Sequence, residues 1–169
     1  MKKIEWFTRK FGQQYDNGTF PGIVERLSGT PGRLEEKIKS IEAQKLELKP
    51  EGKWSIKEEI GHLLDLEPLW YGRMQDFLNQ EIEFRSADLE NRKTHEANHN
   101  SQTIENLMSD FRKERNRLVE KIHQIDAEGK LSSTSLHPRL KAPMKVIDLA
   151  YFVAEHDDHH LAQITYLAR

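Results

Sequence analysis

The chain of 169 residues contains no cysteine. Disulfides, thiolate metal ligands and a cysteine nucleophile are therefore excluded, and any sulfur nucleophile has to arrive with a substrate. Long apolar runs are missing as well. No stretch approaches the roughly 20 residues of a membrane-spanning helix, and the opening Met1-Lys2-Lys3-Ile4-Glu5-Trp6 lacks the apolar run of a signal peptide. No membrane partner and a cytoplasmic location are expected. Neither charge is in large excess: the net charge is -2 and the pI about 6.5. That balance argues against a nucleic-acid partner. Gly-rich phosphate loops, a G-x-S-x-G nucleophile motif, internal repeats and alternating strand patterns are also lacking.

What the chain does have is charge spread along one-sided helices. Charged residues make up 32% of it and mean hydropathy is -0.80, as expected of helices with solvated outer faces. Residues 1–19 are aromatic and basic without a clean period, and read as a partly extended arm, with Asn17-Gly18 as a turn. Phe20 to Ser28 predicts a short helix that Gly29 breaks. Thr30-Pro31 restarts one, with Leu34, Ile38 and Ile41 as its stripe. Ser55 and Glu58 form a capping box for a helix whose apolar face is Ile56, Ile60, Leu63, Trp70, Met74 and Phe77. His62 lies on its shoulder, in line with Leu66, Leu69 and Arg73, and Pro68 should kink the helix or cost it a hydrogen bond. Glu81 to Asn100 reads as a long polar connection. Ile104 to Ile125 is helical again, with Glu114 and Arg115 interrupting the seam as a buried ion pair or a cavity edge. Ser132 to Pro143 reads as a loop, and Pro143 as the start of the last helix. The fold class is all-α: a four-helix bundle forming a single domain over residues 1–169.

The last helix carries the unusual feature. With Val146 at heptad position a, the a and d positions are Val146, Leu149, Val153, His156, His160, Gln163 and Leu167. Two imidazoles thus stand where the seam should be apolar. Four residues apart, they lie about 40° apart around the axis and about 6 Å apart along it, the spacing at which two side chains reach one ion. Buried histidines hydrogen-bonded to neighbours are the competing explanation, but two rings plus Gln163 would each need a partner. Metal binding is preferred. Catalytic zinc sites use three protein ligands; His62 is the candidate third, which geometry alone leaves open. His159 falls on the flank, for a supporting role at most.

The other chemistry-bearing residues are weaker candidates. His95-Glu96-Ala97-Asn98-His99 matches H-E-x-x-H, the zinc-protease pattern, but its flanks are polar throughout, and a solvated connection is preferred. His123 lacks a partner spacing. His137 reads as an exposed loop histidine near the bundle mouth. Glu155, Asp157 and Asp158 read as a solvated face. Asp65, three residues after His62, is a possible brace for that ring, though a surface acid is the preferred reading.

Two stretches together carry a family resemblance. They are Trp54-Ser55-Ile56 with Glu59, His62-Leu63-Leu64-Asp65 and Glu67, and His156-Asp157-Asp158-His159-His160-Leu161-Ala162-Gln163-Ile164. With Val24-Glu25-Arg26-Leu27 and Arg33-Leu34-Glu35-Glu36, they resemble the DinB-like superfamily, including its DinB/YfiT-type metal-dependent enzymes, over about residues 20–169. The resemblance implies an up-down-down-up bundle with a long crossover, often dimeric, so a homodimer is expected. It also implies a divalent ion, zinc or nickel foremost, held by three histidines that fall on His62, His156 and His160. Activities implied are thiol S-transfer with a low-molecular-weight thiol, thiol-dependent isomerisation and hydrolysis; some members are bundles without known chemistry.

Overall fold

In the computed structural model, which describes residues 4–11, 15–50 and 52–169, each of four long helices contributes one buried polar residue to a common layer. The helices are α1 (Phe20–Lys39), α3 (Ile56–Leu78), α5 (Ile104–Ala127) and α6 (Val146–Leu167); α2 (Ala43–Glu47) and α4 (Arg92–Glu96) are short. The layer residues are Thr30, Glu67, Arg115 and Asp157, all buried. Below this layer Leu34, Ile56, Ile60, Leu107, Phe111 and Ile164 form one apolar cluster. Above it Leu27, Trp70, Met74, Leu118, Val153 and Phe152 form another. A polar layer is tolerated there because its groups are bonded to one another. Arg115 donates to Glu67 at 2.6 Å and to both oxygens of Asp157, and Thr30 Oγ1 donates to Asp157 at 2.8 Å.

The layer also explains why α1 is one helix where two were expected. Gly29 and Pro31 sit inside it without ending it. Proline has no N–H for the carbonyl four residues earlier, that of Leu27. Arg115 Nη1 donates to that carbonyl at 3.2 Å and fills the gap. Helix α3 likewise continues through Pro68, and its Ser55–Glu58 capping box is present.

Side-chain contacts fix the directions. The start of α3 meets the start of α5 through Ser55 Oγ and Asn100 at 2.6 Å. The end of α6 meets the end of α1 through Lys37 Nζ and Thr165 at 2.6 Å, and the start of α3 through His160 and Glu59. The order is therefore up-down-down-up, and the segment between α3 and α5 runs back along the bundle.

Two expectations are corrected by the fold. Residues 132–143 are not all loop: β1 (Thr134–His137) and β2 (Ala142–Lys145) form an antiparallel hairpin in which Leu136 faces Pro143. Strands of four residues are too short to reveal a period, and Pro143 is an edge residue. The last helix begins at Val146, where Asp148 accepts from Lys145 N at 2.8 Å, and not at Pro143. In the arm, the described residues make short turns at Trp6–Thr8 and Asn17–Thr19; residues 1–3 and 12–14 lie outside the described ones. Among the described residues no helix is long and apolar enough to cross a membrane.

Candidate metal centre

His62 on α3 and His156 and His160 on α6 meet just beside the polar layer, all buried. One ring nitrogen from each lies within 4.8 Å of the other two. The Nε2 atoms of His156 and His160 are 3.2 Å apart. Two nitrogens bound to one zinc at about 2.0–2.1 Å in a tetrahedron lie about 3.4 Å apart, so this pair is spaced like one edge of such a site.

Hydrogen bonds decide which nitrogen carries each proton. Asp65 is ionised: burial alone would raise its pKa, but bonds from His99 and Thr94 and the nearby Lys93 lower it. Its Oδ2 therefore accepts the single hydroxyl proton of Thr94, at 2.9 Å. Thr94 Oγ1 is left as an acceptor, and His62 Nδ1, 3.1 Å away, donates to it. The lone pair of His62 is then on Nε2. On α6, His160 Nδ1 donates to Glu59 Oε2 at 2.5 Å, which again leaves the lone pair on Nε2. His156 Nδ1 is buried without a hydrogen-bond partner among the described residues. Burial, reinforced by the neighbouring imidazoles, drives the pKa of His62 down to about 2 and that of His156 well below 6.5. Both rings are neutral at pH 7, the state a metal needs. Converging neutral nitrogens, two with lone pairs fixed by their partners, fit a divalent ion with nitrogen preference.

The cluster lies on the wall of a cavity of about 350 Å³. Trp6, Trp54, Leu66, Leu69, Trp70 and Phe152 give that cavity its apolar lining, with Arg73, His137 and Arg139 among its other walls. Trp6 packs edge-on to His156, with ring centroids 5.0 Å apart, so part of the N-terminal arm belongs to the site. His159 is half-buried on the flank, its ring 5.2 Å from that of His160.

Several expectations about single residues change. His99 is not solvated: it donates from Nε2 to Asp65 Oδ2 at 2.8 Å, and its ring lies where a Cβ on Gly61 would be, 2.3 Å away. The glycine makes room for it. His95 is exposed, and Asn98, with φ of +48°, ends the helical path between the two histidines. Asp65 is neither a direct brace nor a surface acid; it acts on His62 through Thr94. His137 is buried on β1, with Nε2 3.2 Å from Arg73 Nη1, and is not an exposed loop residue. Asp157 belongs to the polar layer; only Glu155 and Asp158 stay on the partly solvated flank, paired with Arg26. Arg115 is a buried ion-pair residue, but its partners are Glu67 and Asp157, while Glu114 pairs with Arg117. Glu59, Thr94, Trp6 and Arg73 are site residues that helical spacing did not single out for that role; Glu59 stood among the residues carrying the resemblance.

A family model described as the DinB superfamily matches residues 26–164. The chain belongs to that superfamily. Among solved structures, one that is 19% identical superposes with a TM-score of 0.79 over 95% of this chain and 92% of that chain. It is described in the words "YfiT from Bacillus subtilis is a probable metal-dependent hydrolase with an unusual four-helix bundle topology". At that identity the likeness establishes the fold. No curated protein sequence matches.

Proposed function

We propose that this DinB-superfamily chain is a metal-dependent enzyme in which His62, His156 and His160 hold one divalent ion at the wall of the cavity. The observation that carries this reading is the convergence of three buried imidazoles, with ring nitrogens within 4.8 Å of one another, beside an open apolar space. Three protein ligands are the number used by catalytic sites, which keep one position for substrate. Zinc and nickel suit the donor set. When bound, such an ion supplies a +2 charge that lowers the pKa of a thiol or water brought to it.

The remaining work falls to the chain. Glu59 and Thr94 hold the Nδ1 protons of His160 and His62 and so keep the rings aimed. The tryptophans and Phe152 exclude water and bind an apolar body. His159, at the flank of the cluster, is placed to receive the proton that the nucleophile loses. A chain without cysteine fits a reaction in which a low-molecular-weight thiol is a substrate, as in thiol S-transfer; hydrolysis uses water in the same place. A non-enzymatic metal-binding or stress-response bundle is the alternative, and the open cavity beside the cluster favours the enzyme. A homodimer forms part of the proposal, to be checked by light scattering.

The test is cobalt substitution followed by thiol titration. One ion per chain, and a visible spectrum that changes on adding a thiol, are expected. Absence of stoichiometric metal binding would sink the metal reading; a spectrum indifferent to thiols would turn the choice to water.

A further inference from the structure

The cavity has a second polar end, across Trp70 from the histidine cluster. On α3 the residues His62, Leu66, Leu69 and Arg73 follow one stripe, with about 16 Å of helix axis between the backbone positions of His62 and Arg73. Arg73 is only 1% exposed. Its Nε donates to Arg85 O at 3.2 Å, its Nη1 lies 3.2 Å from Nε2 of neutral His137, and its Cζ lies 5.5 Å from the Trp70 ring centroid and 5.8 Å from that of Phe84. Among the described residues no carboxylate pairs with it. The nearest acid in its helix, Asp76, is taken by Arg85 at 2.6 Å. Arg139, from the hairpin turn, reaches the same cavity, and its Nη2 is buried with no hydrogen-bond partner among the described residues. Asp88 is the one acid on the wall among the described residues, and its oxygens accept from the backbone of Glu90 and Arg92.

A buried cation whose nearest acid, Asp76, is already engaged by Arg85 is under-compensated, which is costly. Burial lowers the pKa of Arg73 to about 10, with Asp76 only partly opposing it, and also lowers that of Arg139. Arg73 still keeps its proton at neutral pH, so the imbalance persists unless an anion enters. The planar forks of two arginines suit an oxyanion. Trp70 bridges the two ends: its ring is 5.7 Å from that of His156 and 5.5 Å from Arg73 Cζ.

We infer that Arg73 and Arg139 form a carboxylate-binding subsite, and that the substrate is a small amphipathic acid. Its carboxylate lies at the arginines, its apolar body along Leu66, Leu69 and Trp70, and its reacting atom at the histidines. The assignment of the reacting end rests on the proposed function; the carboxylate end does not.

The test therefore uses metal-free protein in EDTA and follows tryptophan fluorescence. The probes are 4-phenylbutyrate, its neutral amide and phenyl phosphate. The acid should bind at least tenfold more tightly than the amide. Arg139→Gln and Arg73→Gln should each remove most of that preference and leave amide binding as it was. Arg139 lies in a turn, so its variant remains informative if Arg73→Gln fails to fold. The same preference should persist in His156→Ala, which separates this subsite from the metal. Equal binding of acid and amide, or a preference that survives Arg139→Gln, would overturn the inference. Stronger binding of phenyl phosphate than of the acid would also overturn it, in favour of a phosphate ligand.

Discussion

Glu59 Oε2 accepts a hydrogen bond from His160 Nδ1 at 2.5 Å, across the interface between α3 and α6. The carboxylate fixes the tautomer of a proposed ligand without touching the ion. Glu59→Gln should lower metal affinity by about 10- to 100-fold, as losses of such braces do, with helix content preserved. Calorimetric titration of metal into both proteins checks it.

Single changes of His62, His156 or His160 to alanine should each reduce metal affinity far more than His159→Ala or His95→Ala. Under the proposed function, removing one ligand of three should also abolish metal-dependent activity. The same titration decides the phase of α6: loss of metal in His159→Ala with retention in His160→Ala would contradict the Nε2 lone pair assigned to His160.

Arg115→Met should destabilise the fold by about 3–5 kcal/mol, because Glu67 and Asp157 would remain buried without their cation. Leu27 O would lose its donor too. For Arg115 burial opposes the charge, but the two carboxylates outweigh it and raise its pKa. Urea unfolding at neutral pH measures the change.

Gly61→Ala gains helix propensity of about 1 kcal/mol, yet its Cβ would lie 2.3 Å from the His99 ring. That ring is buried and held by Asp65, so it cannot yield cheaply. A net loss of about 1–3 kcal/mol is expected. Metal affinity should fall with it, because Asp65 orients Thr94 and Thr94 orients His62. Unaltered affinity in a folded Gly61→Ala protein would show that the chain of bonds does not reach the site.

Metal-free protein should lose stability as pH falls below about 6.5. Burial, with help from Arg73 and Arg139, lowers the pKa of His137 to about 3, and His62 lies at about 2. Folded pKa values below the unfolded one mean stabilisation that is present above pH 6.5 and lost as the pH drops toward the folded values. Glu67 acts in the opposite sense. Burial raises it to about 7 despite Arg115, so its contribution is present below pH 4.5 and lost as the pH rises through 7. Melting temperatures in EDTA from pH 4 to 8 test both, with His137→Asn expected to flatten the acidic limb.

The sequence by itself determined the all-helical character, the capping box of α3 and the inward face of His156 and His160, because a helical period of 3.6 residues converts spacing directly into direction. It also placed His62 and Arg73 on one stripe. Only the tertiary structure decided which charged residues are inside. Asp157 looks like a surface acid from α6 alone, since its burial depends on Arg115 and Thr30, which come from other helices. His99 and His137 lie in polar, aperiodic segments, and their burial depends on a glycine at 61 and an arginine at 73 that no local pattern connects to them. Continuity of α1 through Pro31 has the same origin: the proline's missing hydrogen bond is a local fact, and the donor that replaces it lies 88 residues away. Periodicity reports the environment of one helix face, whereas charge compensation is settled between helices and becomes visible only when they are packed.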